Sequence, residues 1–284
     1  MNTKGKLVLL LLSTMLSVNT NASATTKCGS FQEYLLYSTD TEAKPTEYTW
    51  MGVLYELEDS SLTNTNCSVI IVSESHVLAT GSCVREKRPE SLTVRLGMWD
   101  ERHKPGNEVV CDLDGYCVSR PVDYQVKGIL VHPQADAKTG DYDLAILELK
   151  ERINWTQYIQ PLCVNPNSEP ESLISRIYHY SGFDNSDYIK GKGLTETLSN
   201  AYCKVIGKLS ALPSAHQFCT YPDKQTHFYN GAALMGINVE KDVPRNFYLI
   251  GILLKFYEND ERSLLFFHDI RPVRDWIISN TRTD

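Results

Sequence analysis

The sequence predicts an all-β fold of barrel or sandwich type, and two observations carry that prediction. Short apolar or alternating runs recur at close spacing, separated by clusters of Gly, Pro, Asn and Asp, the pattern of strands joined by turns. All eight cysteines lie beyond residue 24, which fits a secreted chain stapled by disulfides rather than one using metal or redox chemistry. Only the stretch 271–278 reads as a helix, with Val273, Trp276 and Ile277 on one face and Pro272 near its start.

In chain order, Lys4 and Lys6 precede a mostly apolar run over 7–18, and Ala22, Ser23 and Ala24 offer a small-residue cleavage position. That is the layout of a secretory signal over residues 1–24. The run is shorter than the roughly 20 residues a membrane helix needs, and no later run is longer, so no membrane anchor is expected. Removing 24 of 284 residues leaves 260, enough for one two-part all-β domain at 45–284 preceded by a short polar arm at 25–44. Strands are predicted at 50–55, 69–72, 92–96, 126–131, 144–149 and 248–254.

Lys and Arg number 28 against 35 Asp and Glu, a net charge of −7 that becomes about −9 once Lys4 and Lys6 are removed. This unpatterned acidity argues against nucleic acid or anionic membrane as partners. There is no C-x-x-C pair and no helical His-x-x-x-His, so no metal and no cofactor is expected. Asn66 and Asn154 head glycosylation sequons; the second is the better acceptor, because Cys67 follows Asn66 directly.

The segment 67–83, from Cys67 through Val69, Ile70 and Ile71 to Ala79, Thr80, Gly81, Ser82 and Cys83, resembles the opening of a chymotrypsin-family (S1) serine protease domain. That family reads C-G-G-S-L-I and then V-L-T-A-A-H-C, with the same gap between cysteines. Glu42, Ala43, Pro45, Glu47 and Trp50 are similar to its E-A-x-P-x-E-F-P-W run. Asp141, Asp143, Leu144 and Ala145 resemble N-D-I-A-L, while Ile159, Pro161 and Cys163 resemble I-x-P-I-C. Segment 94–100, followed by Cys111 and Cys117, resembles the arthropod clip-domain proteases and their inactive homologues, although an arm with one cysteine holds no clip domain. The resemblance implies two perpendicular six-stranded antiparallel barrels and a C-terminal helix. It also implies the pairs Cys28–Cys163, Cys67–Cys83, Cys111–Cys117 and Cys203–Cys219, where spacing alone leaves 105 pairings open.

Carried over position by position, the resemblance puts Ser82 where the general base belongs, Asp143 at the orienting carboxylate and Asn230 at the nucleophile. A serine hydroxyl cannot accept a proton at neutral pH as imidazole does, and a carboxamide has no ionisable proton to lose. Asp143 then has a structural part, hydrogen-bonding within the cleft. Phe228 stands where a glycine lines the oxyanion hole, a strained place for a Cβ where φ is positive. Tyr229 replaces the aspartate that receives a freed N-terminus, and the cleavage segment falls at 36–40, which lacks a basic residue. Residues 251–256 stand where V-S-W-G meets substrate. Loss of a serine or histidine alone removes roughly 10⁶ of kcat in a related chemistry. Against a typical kcat of about 10 s⁻¹, turnover falls to roughly 10⁻⁵ s⁻¹.

No other residue takes over these tasks: His76 and His132 read as structural, and Ser181 and Ser199 have no nucleophile-like surroundings. The leading reading is a secreted protease homologue without catalysis. The resemblance implies partners among the proteins of an extracellular protease cascade, an active protease or its substrate, as in innate immunity and melanisation. Against it stand an active S1 endopeptidase with an unrecognised triad, separable by a serine-directed reagent, and a recognition protein for microbial surfaces or hydrophobic ligands.

Overall fold

The computed structural model describes residues 27–106, 109–111, 115, 117–164, 172–183, 186–225, 227–259 and 262–282, so the expected signal at 1–24 lies outside the described residues. The strands of the N-terminal half are β1 (Met51–Glu58), β2 (Ser61–Ile71), β3 (His76–Ala79), β4 (Leu92–Leu96), β5 (Val109–Cys111), β6 (Cys117–Ser119), β7 (Val122–Val131) and β8 (Ala145–Leu149). Those of the C-terminal half are β9 (Ile177–Gly182), β10 (Gly191–Thr197), β11 (Gln217–Pro222), β12 (Ala233–Glu240), β13 (Val243–Asn259) and β14 (Arg262–Asp269). The first half closes a barrel in the order β1-β2-β3-β8-β7-β4, the second in the order β10-β11-β14-β13-β12-β9. Every pairing in both is antiparallel. β5 and β6 form a separate ribbon with Cys111 opposite Cys117.

The predicted strands fall on β1, β2, β4, β7, β8 and β13; apolar residues are buried on each, although on β7 Val126 is buried while Leu130 and Val131 are exposed. The outer half of β2 escaped the pattern because its residues are polar apart from an exposed Leu62. There, Ser61 to Asn64 pair with Tyr55 to Glu58, so the backbone ladder rather than apolar burial defines the strand. The expectation that only the C-terminal end is helical needs correction. Besides the one-turn α1 (Gly81–Val84) there is α2 (Asn200–Ile206), capped by the Ser199 hydroxyl accepting from the Tyr202 amide at 3.1 Å. Its signal is weak because Tyr202 and Val205 are exposed and Cys203 is its one buried residue. The C-terminal helix α3 (Arg274–Thr281) starts later than expected, since Arg271, Pro272 and Val273 form a 3₁₀ turn. Val273 and Ile277 are buried as its apolar face requires.

One continuous core joins the barrels. Trp50 is fully buried, its indole N–H pointing at the Met235 sulfur at 3.2 Å, and its ring packs near Tyr48 and Phe247. Each aliphatic or Phe side chain fully buried in this seam contributes roughly 1.5–3 kcal/mol. Disulfides join Cys28 to Cys163, Cys67 to Cys83, Cys111 to Cys117 and Cys203 to Cys219. The first ties the segment before β1 to the body; the second sits at the junction of the barrels.

Candidate functional site

Asp143 lies in the turn entering β8, just after Tyr142, whose φ of 50° bends the chain there. Its carboxylate is buried and caps α1: Oδ1 accepts the Ser82 amide at 2.6 Å and Oδ2 accepts the Ser82 hydroxyl at 2.8 Å. Gly81 makes this approach possible, since a Cβ there would stand 2.9 Å from Oδ1. The hydroxyl of Ser82 is thus turned back onto the carboxylate. It has no basic nitrogen to offer, and its proton is already shared.

Opposite lies the loop 228–231 of the second barrel. Asn230 touches the first barrel through its carbonyl, which accepts the Ser68 amide at 2.7 Å, and bridges to Cys67. Ser82 and Asn230 therefore line one cleft of about 270 Å³, together with Cys67, Cys83, Glu56 and Lys87. Glu56 and Lys87 are ion-paired there. The structure brings the three sequence-selected positions into one neighbourhood.

Phe228 is not strained as expected, because its φ is not positive. The left-handed position is Gly231, with φ of 92°, where a Cβ would meet the Ser68 carbonyl at 2.1 Å. The Phe228 side chain instead turns inward, buried against Tyr180 at 5.5 Å between ring centroids. Two glycines make its slot. A Cβ at Gly191 would come within 2.6 Å of the Phe228 ring, and one at Gly182 within 3.1 Å of its Cβ. Tyr229 points the other way, toward β2: Asn64 Nδ2 donates to its hydroxyl at 3.2 Å and to Glu101 Oε2 at 2.5 Å. Burial and the Glu101 carboxylate push the Tyr229 phenol above its ordinary range, so it keeps its proton. The loop is held by two aromatic side chains in two different cores.

The segment 251–256 lies on β13, which pairs with β14 from Gly251 opposite Asp269 out to Asn259 opposite Arg262, with a bulge at Leu254. Leu253 is buried beside Phe267 and Leu265 in the second barrel's core, and Phe256 is half-exposed.

Histidines do cluster behind Asp143. His132 stacks on Tyr142 at 4.7 Å and meets Trp276 edge-on; Tyr142 also touches His216 and His268. His268 is fully buried and senses the Asp143 charge, yet its Nδ1 pairs with the Asp269 carbonyl at 2.7 Å. Burial holds both His132 and His268 below the usual histidine range. Among the described residues, the groups hydrogen-bonded to the Asp143 carboxylate are the amide and hydroxyl of Ser82. His76 lies on β3 and bonds Ser73 and Ser75; Ser181 donates to the Gly191 carbonyl. No group of three His, Cys, Asp or Glu side chains converges for a metal among the described residues.

One buried polar group escaped the sequence reading. Lys192 Nζ meets both Glu47 oxygens at 2.7 and 2.8 Å, and Lys190 is buried with the Tyr48 carbonyl 3.5 Å away. Burial brings Lys190 down to about 7. A lysine at an inward strand position is the available signal, but without the register of β10 it was illegible. Segment 36–40 lies against the same barrel, where Lys224 Nζ donates to the Thr39 carbonyl at 2.9 Å.

Two closed six-stranded antiparallel barrels meeting at a cleft, with a C-terminal helix, define a chymotrypsin-like protein. The trypsin family model matches residues 39–277, and the chain belongs to the trypsin family. It is 29% identical over 145 residues to phenoloxidase-activating factor 3 of Holotrichia diomphalia, covering 49% of this chain and 40% of that one. It is 27% identical over 136 residues to the inactive serine protease scarface of Drosophila melanogaster, covering 47% and 18%. The CLIP domain-containing serine protease B9 of Anopheles gambiae is 23% identical over 66% of this chain and 50% of its own. The crystal structure of the Drosophila Grass clip serine protease of the Toll pathway superposes with a TM-score of 0.72 at 18% identity, over 91% of this chain and 75% of that one. The chain thus spans half or less of these sequence relatives' lengths.

Proposed function

We propose that this chain is a secreted, non-catalytic trypsin-family protein that acts by binding proteins of an extracellular protease cascade, as cofactor, scaffold or decoy. The observation that carries the reading is the bond from the Ser82 hydroxyl to Asp143, facing Asn230 across the same cleft. Acyl transfer needs a base that takes a proton and a nucleophile that gives one. Here the carboxylate is satisfied by a hydroxyl, and the residue opposite carries an amide. Relatives named as a phenoloxidase-activating factor, a spaetzle-processing enzyme and an inactive serine protease support a place beside such enzymes, in innate immunity including melanisation.

In this reading residues 1–24 are removed as a signal, 25–44 form the arm and 45–284 the degenerate domain. Exposed Asn66 and Asn154 carry glycans, which an endoglycosidase mass shift tests. A fluorophosphonate probe should leave the purified protein unlabelled, and affinity capture from body fluid should retain a protease or its substrate. Stoichiometric labelling, or no effect on cleavage in any reconstituted cascade together with no captured protease, overturns it.

A further inference from the structure

We propose that the cavity between the N-terminal segment and the second barrel binds an uncharged, largely apolar small molecule with a hydrogen-bond acceptor at one end. The cavity measures about 400 Å³ and shares no lining residue with the cleft of Ser82 and Asn230. One wall is residues 35–40, led by Leu35 and Leu36; the other brings Leu194 and Lys192 of β10, His179 of β9, and Tyr48. Small-molecule sites occupy about 300–1,000 Å³ and combine apolar walls with a few converging polar groups.

Those polar groups set the ligand's chemistry. Lys192 uses two of its three N–H bonds on the Glu47 carboxylate, leaving the third to donate. His179 Nδ1 lies 3.4 Å from the Tyr48 hydroxyl, and burial with the nearby Lys192 ammonium holds the imidazole at about 4, neutral at physiological pH. Lys192 and Glu47 cancel one another. Lys224, Asp40 and Asp223 also line the cavity, each already engaged: Lys224 by the Thr39 carbonyl, Asp40 by the Ser38 hydroxyl and Asp223 by the Leu194 amide. An anion therefore gains nothing from entering, and a cation would give up water for carboxylates that are already hydrogen-bonded.

A peptide strand is disfavoured because the chain already straps this side of the barrel. Lys192 donates its amide to the Thr41 carbonyl and Ala43 its amide to the Lys190 carbonyl, each at 2.8 Å, while Lys224 holds Thr39. What remains is a partly open pocket between strap and barrel, with Leu194 partly exposed at its edge.

The test is a fluorescence titration of the full chain with Nile red, an uncharged dye bearing a carbonyl acceptor. Saturable one-to-one binding is expected, weakened at least tenfold by Leu194→Trp and by Leu36→Trp, which fill the hole from opposite walls, and unchanged by Ser82→Ala. Near-ultraviolet circular dichroism checks that each variant is folded; if one misfolds, the other decides. Absence of saturable binding to the wild-type chain, or full affinity in a folded tryptophan variant, overturns the proposal. Labelling by a serine-directed probe bears only on the cleft, so the two proposals fail separately.

Discussion

On the first-barrel wall of the cleft, Asp143 holds a buried carboxylate at the start of β8, and one small side chain, Ser82, is seated on it. On the second-barrel wall, the loop 228–231 is anchored by Phe228 and Tyr229, each packed into a different core, and Asn230 follows them to meet Cys67. The first wall rests on an exposed side chain, whereas the second rests on buried ones. A surface position can change and change back with little effect on its neighbours. A loop packed in this way cannot, because its side chains are part of what holds the barrels together.

The comparison is broken most directly at Phe228. Phe228→Ala empties the slot between Gly182 and Gly191 and is expected to destabilise the fold by about 3–5 kcal/mol in urea unfolding. A change below about 1 kcal/mol would show that the loop is not part of the core. The buried lysine of the same barrel gives an effect of opposite sign. Lys190 titrates at about 7 when folded, far below its ordinary value, so between pH 7 and 10.5 the unfolded chain holds the proton more often. Stability of the wild-type chain therefore rises with pH through that window, and the penalty is complete below it. Lys190→Met should stabilise by about 1–4 kcal/mol at neutral pH. Its advantage should shrink toward pH 10.5, as chemical unfolding at several pH values would reveal.

The first wall should respond less. Ser82→Ala removes one hydroxyl bond to a buried carboxylate while keeping the amide bond, an expected loss of about 1–2 kcal/mol in thermal unfolding. The smallest effect is expected where sequence logic alone suggests the largest. Ser82→His combined with Asn230→Ser introduces two residue types of the protease pattern, yet peptide hydrolysis should stay at background, because neither change moves Phe228 or Tyr229 out of the cores that fix the backbone of loop 228–231. Measurable turnover in that double variant would mean that the packing of the second wall does not decide activity.

Much of this was legible in the sequence. The strands that read clearly, such as β4 and β8, bury nearly every residue, so their apolar content announces them. Ser82 could be placed because cysteines flank its segment on both sides. The helix α2 was not legible, since its position depends on Cys203 and a serine cap more than on an apolar stripe. The orientation of Phe228 was not legible either, because the φ that decides it belongs to Gly231 and the space it fills belongs to β9 and β10.

The sequence by itself determined the all-β class, the order of its signature segments and the residue types at 82, 143 and 230, since each is written in neighbouring residues. Only the tertiary structure decided which way the aromatic residues of 228–229 turn, which lysines are buried and where a cavity opens. Glu47 and Lys192 lie 145 residues apart, and Tyr229 and Asn64 lie 165 apart. Contacts over such separations arise when closed barrels pack together, and no local pattern of side chains encodes them.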